Sequence, residues 1–479
     1  MKINNIYRST LIAGGIVAGT ALITGCSSDD TSPGNTSVRI IHASADAPPV
    51  DIKLNDDVAV SALDYPQSTG FVSIKAGTYD VAVDAIVPGG NLEVITIDDI
   101  SLATNQRYTV VALDDTASIT EFLAEESAAS PAADQVAIAV LHAATAAGNV
   151  DVYVTAPDAS LADTDPTFTF DFKGQVDAGA LPAGEYQIRV VANGDNTKEP
   201  VYDSGTVDLS DFGGQKLMLL AVNTVNATAK ASSPVKLVAY TDSAQLELLD
   251  SDTQTGAKVV HLSPNAPTVD VLASSPALET SPAKLIDSIS YAEVQPAANS
   301  YAAVPAGSYT FDVVVEDDII DNSVFTTAAP LPLAAGSEYT VIAAGLLSAD
   351  PQFDLWPTQD NNRAIVTQAS VKVVHGSPAA GPVDVFVTPA NAFTKEEVEN
   401  GAAGAPLLDD FEFGTITDYV AVPPGDYDIR VVTEGGAGFA AIDEEDVTLA
   451  PGSVSTVIAR EPVTGGGEPG SFGLVVLSN

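Results

Sequence analysis

A chain of 479 residues, 46 % of them apolar, has room for roughly three to five ordinary domains with packed cores, which excludes wholesale disorder. Its 19 basic and 64 acidic residues leave a formal charge of −45. That charge excludes nucleic acid as a partner, because phosphate binding needs Lys and Arg to release counterions, and it excludes electrostatic docking on anionic lipid heads.

The first element is a secretory signal over residues 1–25. Lys2 and Arg8 form its charged start, and "STLIAGGIVAGTALI" is an apolar run too short to cross a bilayer. It closes on "LITGC", which resembles a bacterial lipobox and puts Cys26, the single cysteine, at the lipidation position. Ser27 rather than Asp follows, which by resemblance to bacterial lipoproteins implies the outer membrane. Residues 26–36 then read as a lipidated cysteine with a flexible tether. The chain is therefore expected in a bacterial cell envelope, with the membrane as partner through its lipid.

Beyond the tether, all four histidines recur in one context: "VRIIHASADAPPVDIKL", "AIAVLHAATAAGNVDVYV", "AKVVHLSPNAPTVDVLA" and "VKVVHGSPAAGPVDVFV". They are His42, His142, His261 and His375, at intervals of 100, 119 and 114 residues. Nine residues after each stands an aspartate, Asp51, Asp151, Asp270 and Asp384, beyond a turn of small residues. A second landmark, "KAGTYDVAV", "PAGEYQIRV", "PAGSYTFDV" and "PPGDYDIRV", supplies Gly77, Gly184, Gly307 and Gly425 with Tyr79, Tyr186, Tyr309 and Tyr427 two residues on. A third, "RYTVVAL", "KLMLLAV", "EYTVIAA" and "VSTVIAR", closes each copy. Three landmarks in the same order four times are an internal repeat, and each unit is large enough to own a core.

Within a unit apolar residues alternate, as in Val38, Ile40 and His42 or Val150, Val152 and Val154. This predicts strands with one buried and one wet face. The expected fold class is all-β: four tandem immunoglobulin-like antiparallel β-sandwiches over 37–125, 135–250, 257–358 and 370–479. Short linkers at 125–134, 250–256 and 357–370 predict an elongated, jointed stalk. "FTKEEVEN" (393–400) predicts one or two helical turns within a loop.

The His, Val-Asp-Val and Ala-Gly-x-Tyr pattern resembles the bacterial family catalogued as domain of unknown function 4397. The third and fourth copies match it best. The second lacks the turn proline, and the fourth lacks tyrosine in its last landmark. The resemblance implies a secreted or surface-attached protein with immunoglobulin-type sandwiches and no transferable catalytic residues.

Each histidine has two readings. As a metal ligand or general base it would need partners, and each unit offers one histidine, no thiolate and one spaced aspartate. As a fold position it would close the first strand and hydrogen-bond across the turn, to the aspartate or to backbone. Repetition in four domains favours the second. The glycines are expected at turn positions with positive φ, and the tyrosines as corner residues with their hydroxyls on nearby backbone. The acidic loops "LNDDV" (54–58), "ANGDNT" (192–197), "VEDDIIDNS" (315–323) and "IDEEDV" (442–447) lack EF-hand spacing and read as solvated hairpin tips, with Ca²⁺ the only cofactor worth testing. No nucleophile elbow, P-loop, zinc-protease or dinucleotide motif occurs, and a single tryptophan, Trp356, offers little platform for sugars. The sequence thus predicts a non-catalytic, lipid-anchored envelope protein with a structural or adhesive task toward a surface protein or matrix partner. A Ca²⁺- or glycan-binding lipoprotein and a secreted hydrolase are the rivals.

Overall fold

The computed structural model describes residues 34–126, 129–225, 233–316, 320–433, 440–462 and 472–478. The signal segment, Cys26 and nearly all of the tether lie outside the described residues. These fall into two compact units, one from 34–224 and 233–252, the other from 253–478.

Eight small sheets make four β-sandwiches, two in each unit. The histidine strands are Asn35–His42, Gln135–His142, Thr255–Leu262 and Ala369–His375. Each lies in the middle of its sheet beside the strand of the third landmark, Arg107–Leu113, Lys216–Asn223, Glu338–Ala344 or Val454–Arg460. The second sheet of each sandwich pairs the aspartate strand (Val50–Leu54, Val150–Thr155, Val269–Ser274, Val383–Pro389) antiparallel with the tyrosine strand (Gly77–Val87, Glu185–Ala192, Gly307–Val315, Gly425–Thr433). Apolar side chains from both sheets meet between them: Val136, Val152, Val190, Leu219 and Leu237 fill the second sandwich, and Val259, Val271, Phe311 and Val341 the third.

The expectation of antiparallel sheets needs one correction. The histidine strand and the third-landmark strand run parallel in all four copies. A parallel pair needs a long crossover, and here the intervening chain supplies it by building the second sheet.

A second correction concerns the wet face. Ile41, Val111 and Leu113 in the first sandwich, and Leu141, Leu220, Val222 and Val238 in the second, point away from their own sandwich interiors yet are fully buried. Within the first unit the two histidine sheets pack outer face to outer face. Tyr240 Oη donates to Pro66 O at 2.6 Å, the Phe71 amide to Asp242 O at 2.8 Å, and Arg39 Nη1 to Thr241 O at 3.0 Å. The second unit repeats the arrangement, with Val260, Leu262, Ile342 and Ala344 of the third sandwich against Val374, Ile458, Val475 and Leu477 of the fourth. Strands buried on both faces read as nearly continuous apolar runs, and "VRIIH" and "AKVVH" are such runs. Within each unit the two sandwiches are therefore not freely jointed.

The helix at Lys395–Glu399 falls where the sequence places it, opened by a capping box in which Thr394 and Glu397 satisfy each other's amides. "LNDDV" is a hairpin tip, with Asn55 and Asp56 at φ 50° and 70°. "ANGDNT" is a turn held by Asp195. "IDEEDV" is not a tip: it lies inside the strand Ala440–Leu449, where Asp443 and Glu445 bind the buried Arg430. Alternating acids beside a basic neighbour make a strand face as readily as a loop. "VEDDIIDNS" lies partly outside the described residues.

The double burial is directly measurable. Leu262 sits on the face that a lone sandwich would expose, so Leu262→Ala should cost about 2–5 kcal/mol in urea denaturation of the full chain, as for a core leucine. A cost within about 0.5 kcal/mol, the usual range at a surface position, would contradict it.

Candidate functional site

The four histidines occupy one site four times over. Each ring is buried, 1 % exposed in every copy. Each Nε2 donates to the carbonyl six residues on: His42 to Pro48 O at 3.0 Å, His142 to Gly148 O at 2.7 Å, His261 to Pro267 O at 3.2 Å, and His375 to Gly381 O at 2.8 Å. A carbonyl can only accept, so Nε2 carries the proton. In the last three copies Nδ1 accepts the amide two residues on, from Ala144 at 3.4 Å and from Ser263 and Ser377 at 3.3 Å. Both ring nitrogens of these three are occupied by backbone. Burial holds the pKa of His142, His261 and His375 below the ordinary value, with the carbonyl bond opposing it only in part. The ring is a neutral staple across the turn.

The residues around it follow from that geometry. An alanine, Ala112, Ala221, Ala343 or Ala459, stands opposite each histidine on the parallel strand and leaves room for the ring. An aromatic ring meets the imidazole at near right angles: Tyr65, Phe172, Tyr291 and Phe413, with centroids 6.4, 6.0, 6.4 and 6.2 Å away. In the second and fourth copies the accepting carbonyl belongs to a left-handed glycine, Gly148 at φ 62° and Gly381 at φ 66°; proline fills the place in the other two.

The aspartates do not touch the histidines. Asp51, Asp270 and Asp384 accept the amides of Ala62, Ser288 and Asp410 on the neighbouring strand, at 2.9, 2.8 and 3.0 Å. Those three residues are left-handed, at φ 52°, 59° and 50°, and the strand register shifts beside each aspartate. The carboxylate pins a β-bulge. Asp151 faces an unshifted pair and takes Thr169 Oγ1 at 2.6 Å and Asn193 Nδ2 at 3.0 Å instead.

The tyrosine hydroxyls each donate to the carbonyl four residues back: Tyr79 to Lys75 O, Tyr186 to Pro182 O, Tyr309 to Pro305 O and Tyr427 to Pro423 O, at 2.6–2.8 Å. The glycines need correction: Gly77, Gly184, Gly307 and Gly425 are not in the left-handed region. At Gly307 an added Cβ would press on Ala277 Cβ at 3.0 Å and Ser275 Oγ at 3.3 Å, whereas at Gly425 it would make only ordinary contact with the Tyr427 ring, at 3.5 Å. Gly307 thus leaves room for Ser275 and Ala277. At Gly184 nothing nearby explains the choice.

The aromatic partners were the part of this site that motif reading missed. Tyr65, Phe172 and Phe413 each stand 12 positions before the glycine of the second landmark, and that offset was a usable signal. Among the described residues no group of three or more His, Cys, Asp or Glu gathers to hold a metal.

The family described as domain of unknown function (DUF4397) matches residues 36–153, 255–386 and 388–479. The chain belongs to this family. The DUF4397 matches take in the histidine turns of all four copies, and the stretch left out is most of the second copy. No curated protein matches. Among solved structures the chain is similar to the TIE protein of Bacillus anthracis, at 10 % identity over 90 % of this chain and 69 % of that one, with a TM-score of 0.16. It is also similar to a candidate cell adhesion protein of Bacteroides fragilis NCTC 9343, at 9 % identity over 47 % of this chain and 97 % of that one, with a TM-score of 0.13. Scores this low carry no argument about this DUF4397 chain.

Removing the staple should register as stability. His261→Ala orphans Pro267 O and the Ser263 amide, and should cost about 1–3 kcal/mol in the full chain; an unchanged denaturation midpoint would refute the role. The pH dependence has a definite sign. The unfolded histidine titrates near 6.5 and the folded one lower, so between these values the unfolded state binds more protons. The histidine contribution is complete above about pH 6.5 and is lost as pH falls below it. Melting temperature should therefore drop on acidification through that window, and less steeply in His261→Ala.

Proposed function

We propose that this protein is a non-catalytic, lipid-anchored component of a bacterial cell envelope, whose paired sandwiches act as a structural or adhesive spacer. One observation carries the reading: every histidine Nε2 is committed to a turn carbonyl of its own repeat, so the residues best suited to catalysis or metal binding are occupied by the fold. The lipobox at Cys26 supports the anchor, and Ser27 supports the outer membrane. The formal charge of −45 supports a dispersed, self-repelling surface. A surface protein or matrix component is the partner such a spacer would meet.

Protease treatment of intact cells, with mass spectrometry of released peptides, tests the reading. Release from all four sandwiches is expected if the chain faces outward; protection until the outer membrane is breached would overturn the adhesive role and leave a periplasmic spacer. Calcium discriminates the closest rival. Raising Ca²⁺ should leave the melting temperature unmoved, whereas a native site at 100 times its Kd would add about 2.7 kcal/mol.

A further inference from the structure

Between the third and fourth sandwiches lies a charged cluster that the staple, the bulge and the corner do not use. Lys258, Glu338, Thr340 and Asp360 share the outer face of the third histidine sheet, with Lys258 opposite Thr340 and Glu338 opposite Asp360 in the strand register. Lys372 reaches the same place from the fourth sandwich. Both carboxylates and both ammonium groups are buried, at most 3 % exposed.

Lys372 Nζ lies 3.3 Å from Asp360 Oδ1. It also donates to Thr358 Oγ1 at 2.8 Å and Gln359 O at 2.7 Å, and sits 4.5 Å from the Tyr419 ring centroid. Lys258 Nζ is turned to Ala298 O at 2.8 Å. The other oxygen of Asp360, Oδ2, accepts two hydroxyls, Tyr301 Oη at 2.9 Å and Thr340 Oγ1 at 2.5 Å. Glu338 accepts Asn362 Nδ2 on Oε2, while its Oε1 is buried with no hydrogen-bond partner among the described residues. Burial lowers the pKa of Lys372 and raises that of Glu338, each toward its neutral form.

These are the parts of an amide-forming site. An amine touches one oxygen of a carboxyl, and two hydroxyls hold the other oxygen. Water, which would favour the separated ions, is excluded.

We propose that Lys372 and Asp360 condense into an intramolecular isopeptide bond that ties the third sandwich to the fourth. The Nζ lone pair attacks Asp360 Cγ, and the Nζ–Cγ bond forms. Tyr301 and Thr340 hold the negative charge that develops on Oδ2. The Cγ–Oδ1 bond breaks, and Oδ1 leaves with two of the three ammonium protons as one water. Both protons pass from the amine to Oδ1 across the 3.3 Å contact, and Tyr419 Oη donates to the same oxygen at 3.4 Å. No oxidant or second substrate is consumed. The product replaces two buried charges with a neutral amide and spans residues 361–371, so tension between the two sandwiches would pass through the bond rather than the linker.

The test is the mass of the purified full chain under denaturing conditions, with tryptic mapping. The expected mass is one water below that of the linear chain. Trypsin should fail to cut after Lys372, giving a branched peptide joined to the segment that contains Asp360. Lys372→Arg should restore the missing water and the linear peptides. Ordinary cleavage after Lys372 in the wild-type chain would overturn the proposal whether or not any variant folds, and so would a bond to Lys258.

Discussion

Everything in this structure depends on a strand that has no wet face. The histidine strand sits mid-sheet, buries one side in its own sandwich and presses the other against a sister sandwich. A chain so placed can hold a polar side chain only if each polar atom finds a partner inside the protein. The imidazole meets that condition by spanning the turn that follows: Nε2 takes a carbonyl six residues on, and in three copies Nδ1 takes an amide two residues on. Strand end, turn and aspartate strand are thereby locked into one piece, and the nine-residue spacing from histidine to aspartate is the length of that piece.

The same burial governs charge. Arg39, Lys258 and Lys372 each stand three positions before a histidine and point to the face shared with the sister sandwich. The second copy has Ala139 there, so the first unit carries one such cation and the second unit two. Arg39 is satisfied by Thr109, Glu126 and the carbonyl of Thr241. The second unit answers its two lysines with Asp360 and Glu338. Buried ion pairs are poor sources of net stability but strong selectors of one docking geometry, since any other register strands a charge. Three of the 19 basic residues are hidden in this way, and because Asp360 and Glu338 are hidden with the two lysines, the acidic balance of the outer surface stays close to that of the composition.

The repeat was legible in the sequence because its signals are local. A histidine, an aspartate nine residues on, and a tyrosine two residues past a glycine are short-range patterns, and the backbone contacts they make are short-range as well, at six residues forward and four residues back. The helix at Lys395–Glu399 and the hairpin tip at Asn55 and Asp56 were legible for the same reason. The aromatic partner was visible as a constant offset in three copies and not in the third, where Tyr291 stands elsewhere, since its contact is made through space across the sheet.

What the sequence determined by itself was the sandwich, its four-fold repetition and the residues that lock each turn. Only tertiary structure decided the parallel pairing, because nothing in a strand's alternation records the direction of its neighbour. Only tertiary structure decided that Gly307 makes room for Ser275 and Ala277 rather than adopting a left-handed turn. The burial of the second sheet face was decided there too. An apolar residue at Leu262 is compatible with a half-wet strand and with a doubly buried one, and the difference lies in a partner surface more than 100 residues away along the chain. Local preference fixes conformation within a few residues; which surfaces meet depends on the closing of long loops, and that free energy is not written in any single stretch.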